Sequence, residues 1–123
     1  MGRYAFFNTG FEYKFTFAVQ PSEDILKFGG TPDFSYEGDH KHSWCIVDRK
    51  RILDRLRDIE ITLGLPEMNF EPYEKKLEGT QKLRHDLWDI GVSDMTLLAT
   101  YSIGCIIYHQ LLYELELNCT YES

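Results

Sequence analysis

The chain has 123 residues, a formal net charge of −7, and eight Phe, eight Tyr and two Trp. That length fits one domain over 1–123, large enough to bury a core without disulfides or a metal. The acidic balance argues against a nucleic-acid binder that neutralises phosphates and against adhesion to an anionic membrane, while the aromatic content suits a packed globule with an aromatic contact surface.

Residues 3–7 are a short aromatic run, and Asn8-Thr9-Gly10 supplies turn chemistry. From Phe11 the chain alternates, with Phe11, Tyr13, Phe15, Phe17 and Val19 on one side and Glu12, Lys14, Thr16 and Ala18 on the other. Period two with aromatic residues predicts a half-buried strand, and the short Gly-containing loop predicts that the two runs pair as an antiparallel hairpin. Ser22 caps a predicted short helix that Gly29-Gly30 ends. Residues 31–39 read as a polar loop. Residues 40–47 read as a third strand, with His40, His42, Trp44 and Ile46 on one face.

Asp48 caps a predicted helix over 49–63, whose apolar stripe is Ile52, Leu53, Leu56, Ile59 and Leu63 and which Gly64 and Pro66 close. Its other side mixes Arg51, Asp54, Arg55, Arg57 and Asp58, the pattern of a solvated face. Pro72 opens a helix that runs to Ile90, with Gly79 as a point where it kinks or splits. Residues 93–117 read as one helix, N-capped by Ser93 and apolar on more than one side, and 118–123 as a frayed tail. Strands first and helices after predict an α+β fold: a small antiparallel sheet of two to three strands, led by the aromatic hairpin, packed on three helices with the 93–117 helix central.

A helix apolar all round is buried all round, and two arrangements achieve this. Either the two preceding helices cover its second flank, or a second chain does. The latter gives a homodimer through Leu97, Tyr101, Ile106, Tyr108, Leu112 and Tyr113. Elsewhere, His40 and His42 stand at i, i+2 on one strand face, a spacing at which both can ligate zinc, copper or nickel, with Glu37 and Asp39 close by. Two exposed histidines beside a polar loop give the same pattern. Glu12 and Lys14 would join them in a polar pocket, or pair across strands on a solvated face. Arg84-His85-Asp86, with Asp89 one turn from His85, fits acid–base work and a charged surface helix equally. No serine sits in an elbow motif and Cys45 has no identified base, so a hydrolase has no support and no cofactor is expected.

Cys45, Cys105 and Cys119 form no CxxC pair, which points to reduced thiols in a reducing compartment and away from structural zinc. Asn118-Cys119-Thr120 is a formal glycosylation sequon expected to stay unmodified. Polar residues 109, 110, 114 and 116 interrupt the main apolar run, short of the roughly 20 apolar residues of a membrane span.

Gly2-Arg3-Tyr4, the run Asn8 to Phe15, Gln20, Ser22, Asp24-Ile25 and Phe28-Gly29-Gly30 resemble a recurring N-terminal pattern among small proteins of the nucleocytoplasmic large DNA viruses of amoebae. Trp44 before a capped helix and Leu77-Glu78-Gly79-Thr80 resemble that family more loosely. The resemblance implies a viral protein in the cytoplasm of an infected cell or packaged in the virion, and it brings no catalytic residue to any position. The resulting expectation is a non-enzymatic interaction or structural protein, homodimeric, with a host or virion protein as its further partner. The alternatives are a small enzyme or a ligand- or metal-binding protein using Glu12, Lys14, His40 and His42, and an adaptor or inhibitor of a host protein.

Overall fold

The computed structural model describes residues 3–15, 25, 27–33 and 40–121. The predicted continuation of the second strand to Val19, the cap at Ser22, and Glu37 and Asp39 lie outside them. The fold is α+β. Strands β1 (Arg3–Phe7), β2 (Glu12–Phe15), β3 (Thr31–Asp33) and β4 (His40–Cys45) precede helices α1 (Arg49–Leu63), α2 (Leu77–Trp88) and α3 (Met95–Leu111), and strand β5 (Glu116–Tyr121) follows. The strands form one antiparallel sheet in the order β2-β1-β5-β4-β3.

The sheet is larger than the two to three strands expected, and the difference lies mainly at the C-terminus. Residues 116–121, expected as the end of a helix and a frayed tail, form the middle strand of the sheet, hydrogen-bonded to β1 on one side and β4 on the other. Leu117, Cys119 and Tyr121 point into the core, while Glu116 and Asn118 face solvent. That alternation fits a half-buried strand. The preceding helix stops at Leu111 without a glycine; the N–H groups of Leu112, Tyr113 and Glu114 fold back onto His109 O and Gln110 O. Thr31–Asp33, expected within a polar loop, pairs with β4 as an edge strand, where Pro32 is tolerated.

The helices match the expectations more closely. α1 has the predicted bounds, and Gly64 ends it at φ 72°. α2 begins at Leu77, five residues beyond Pro72, so Gly79 lies in its first turn and no kink is needed there. A Cβ at Gly79 would overlap the backbone of Glu74. Asp94, and not Ser93, caps α3, accepting from Leu97 N–H at 3.0 Å.

Register fixes the two faces of the sheet. Ala5, Phe7, Tyr13, Phe15, His42, Trp44, Leu117, Cys119 and Tyr121 share the buried face, and their apolar members form one core with Ile52, Leu56, Leu83, Leu87, Ile103 and Ile106. α3 is buried without interruption over 98–107 and 109–111, with α1 and α2 packed on it. At Gly104 a Cβ would overlap the Phe28 ring, so the bare backbone admits Phe28 against the helix. The helix is therefore central, as expected, but its own chain covers it. Tyr101 is 1% exposed and Ile106 fully buried, while Leu97, Tyr108 and Leu112 pack on the same core and Tyr113 bonds to Thr80. A homodimer through this helix loses its basis. Among the described residues no helix is long and apolar enough to cross a membrane.

Leu117→Ala is expected to destabilise the fold by about 2–5 kcal/mol in denaturant titration, as for a buried leucine. Leu115→Ala, two residues earlier and 77% exposed, should change stability by less than about 0.5 kcal/mol. Equal, small effects would show that the C-terminal segment is not the central strand.

Candidate functional site

The predicted pocket of Glu12, Lys14, His40 and His42 does not form. Glu12 and Lys14 lie on β2, at the edge of the sheet, with β1 and β5 between them and β4. They occupy the solvent face, whereas His40 and His42 occupy the face toward the core. His42 is buried, and its Nε2–H donates to Gly29 O at 2.5 Å, pinning the Gly29-Gly30 bend against β4. With the proton on Nε2, Nδ1 is an acceptor, and it is buried without a partner. Burial holds the His42 pKa below its ordinary value because a second proton there would meet no acceptor. His40 stacks on Tyr121, ring centres 5.4 Å apart. Among the described residues no three His, Cys, Asp or Glu side chains come together as a metal site.

Two polar networks that the sequence did not announce lie inside the core. The first centres on Glu60, which sits on the inner side of α1 and is buried. Its carboxylate accepts from Arg57 Nη1 at 2.9 and 3.0 Å, from Met68 N–H at 2.8 Å and from Tyr101 Oη at 2.5 Å. Arg57 also donates to Met68 O. The carboxylate thus ties α1, α3 and the 64–70 connection together with its charge paired and its lone pairs used, the condition under which a buried ion is tolerated. The mixed charges of α1 read as a wholly solvated face; Arg57, three residues before Glu60, was the local signal for an i, i+3 pair.

The second network joins α2, α3 and the β1–β2 turn. His109 Nε2 faces Tyr73 O at 3.5 Å, so Nε2 carries the proton and Nδ1 accepts from Thr80 Oγ1 at 2.7 Å. Thr80 Oγ1 in turn accepts from Tyr113 Oη at 2.8 Å. One residue on, Gln110 Oε1 accepts from Thr9 Oγ1 at 2.5 Å and its Nε2 donates to Ile106 O. Burial lowers the His109 pKa, and the backbone carbonyls of Tyr73 and Glu74 only partly oppose that.

The remaining candidates are accounted for locally. Asp86 accepts from Tyr73 Oη at 2.7 Å and Lys82 Nζ at 3.1 Å, while His85 and Asp89 face solvent. Burial pushes the Cys105 thiol well up and the Cys119 thiol up to about 12, so neither is a thiolate at neutral pH. Arg51 and Arg55 share a surface crevice with Lys27, and Asp54 and Asp58 line it too.

The open face of the sheet is the candidate contact surface. Tyr4 and Phe6 stack on β1 at 5.9 Å with 23° between their planes, and Phe6 is 44% exposed. Lys14 lies opposite Tyr4, Glu12 and Thr120 opposite Phe6, and Lys41 beyond Thr120 on β4. Ser43 bonds to Asn118 across the same face at 2.7 Å. An aromatic pair ringed by charges of both signs can form an interface with a dry centre and polar rim.

Both His42 and His109 have pKa values below 6.5 in the folded chain, so between that value and their lowered values the unfolded chain binds more protons. Their contribution to stability is complete above pH 6.5 and lost as pH falls through the lowered values. Thermal melts should show Tm falling as pH drops below about 6.5, with a shallower slope in His109→Gln; a slope unchanged in that variant would show that His109 does not carry the effect. No protein-family model, curated protein or solved structure matches this chain.

Proposed function

We propose that the protein is a non-enzymatic interaction or structural protein that pairs with a second copy of itself through the open face of the sheet, centred on Phe6. The supporting observation is the stacked, half-exposed Tyr4–Phe6 pair on a sheet whose other face is buried against the helices. Aromatic rings are enriched at the centre of interfaces, where each removes a large apolar area from water. A twofold contact must be complementary to itself. This face offers both halves of such a match, with Glu12 and Glu116 among its acids and Lys14 and Lys41 among its bases. On the N-terminal resemblance, the setting is the reducing cytoplasm of an infected cell or the virion, and a host or virion protein is the rival occupant of the same surface.

Sedimentation velocity across the micromolar range tests this. The chain should pass from monomer to dimer as concentration rises, and Phe6→Glu should stay monomeric where the parent is dimeric, with its melting temperature little changed. A parent that is monomeric throughout, or a Phe6→Glu variant that still dimerises, would overturn the proposal.

A further inference from the structure

Arg84 projects from α2 between two aromatic rings. Its guanidinium carbon lies 4.2 Å from the centre of Tyr13 and 5.0 Å from that of Trp88. Nη2 donates to Lys14 O at 2.8 Å, while Nε is buried and has no partner. Among the described residues no carboxylate pairs with this cation. Burial disfavours its charge, and only the Tyr13 side chain offsets that. The side chain is part-buried, and it is Nε that is closed off from water; a buried N–H without a partner, on a cation without a counter-charge, is costly unless something supplies both.

The same two rings wall a crevice of about 20 Å³, closed by Leu87, Leu98, Ala99 and Ser102. Met95 also lines it, and Met95 and Trp88 are about half exposed, at 55% and 49%. The volume admits roughly one methyl group or one water. Arg84 does not itself line the crevice, but its guanidinium rests on two of the rings that do, so mostly apolar walls and a neighbouring unpaired cation set two requirements on an occupant that spans them: a single negative charge and an alkyl body.

We propose that Arg84 and this crevice form a binding site for a small apolar monocarboxylate. The carboxylate takes two parallel hydrogen bonds from Nε and a guanidinium Nη, the fork geometry that arginine presents and lysine does not. Its chain lies along Trp88 and Met95, and the terminal methyl enters the crevice. A dianionic phosphate fits less well, because a single cation among apolar walls leaves its second charge unmatched.

Titration with octanoate, octanol and octylammonium tests the site, read by calorimetry and by the fluorescence of Trp88, the exposed one of the two tryptophans. Octanoate should bind saturably, and octanol and octylammonium at least about tenfold more weakly, the size of effect a charge-assisted pair confers. That comparison needs no variant. Arg84→Gln should reduce octanoate affinity by the same factor. Ala99→Leu, which fills the crevice and leaves the guanidinium in place, should weaken octanoate too. Absence of octanoate binding, equal binding of octanol, or unchanged affinity in a folded Arg84→Gln variant would overturn the site. Loss in Arg84→Gln with no change in Ala99→Leu would overturn the seating of the chain in the crevice.

Discussion

The structure depends on enclosing α3 on every side. Apolar burial drives the enclosure, but the polar atoms the helix carries inward determine how it is done. A buried hydroxyl, imidazole or amide left without a partner costs more than a typical hydrogen bond contributes. On α3 four such groups find their partners in definite places: Tyr101 on Glu60 of α1, His109 on Thr80 of α2, Gln110 on Thr9 in the β1–β2 turn, and Thr100 on the Thr96 carbonyl. Three of these contacts reach different elements, so rotating the helix about its axis would break all three at once. Non-directional burial makes the core, and directional bonds set its orientation.

That division explains what was legible in the sequence. The aromatic hairpin and α1 follow from local periodicity. The hairpin pairs as expected over the described residues, and α1 has its expected bounds with Gly64 at its end, although Asp48 turns its carboxylate back to the Cys45 N–H and does not cap the helix. The apolar excess of the C-terminal helix was also legible, and so was its central place. What covers it was not, because one-chain and two-chain coverage bury the same residues. The end of α3 was hidden for a different reason. Leu111 and Leu112 continue the apolar run, and no glycine or proline marks the stop. Yet from Leu115 the chain alternates, with Leu117, Cys119 and Tyr121 inward. Period two was written in those residues, but only tertiary pairing with β1 and β4 outweighs the helical reading through Leu117.

The histidines show the same limit from the other direction. Alternation placed His40 and His42 on the face that also carries Trp44, and the aromatic company was the sign that this face turns inward. Buried there, His42 becomes a neutral donor to the Gly29 carbonyl and no longer a free ligand. By the same sign Glu12 and Lys14, opposite the aromatic stripe of β2, face outward; what could not be read locally is how far β2 lies from β4. That depends on the strand order β2-β1-β5-β4, set by pairings more than 100 residues apart in the chain, such as Phe7 with Cys119.

A five-stranded sheet with helices on one side has three ways to meet another chain: two edges and one face. The edges are blunted among the described residues. On β2 the Lys14 carbonyl is already taken by Arg84, whose guanidinium is held by Tyr13 and Trp88. On β3 Pro32 has no N–H to give. Strand addition at either edge would therefore forfeit a hydrogen bond that an open edge offers, which is how sheets resist indiscriminate pairing. The face has no such block. Its backbone is satisfied by neighbouring strands, so association there requires only that side chains be desolvated, and Tyr4 and Phe6 are the ones that gain from it. Arg84 thus has a structural place as well as a chemical one: while it guards the β2 edge through Nη2, its Nε stays free to meet an anion.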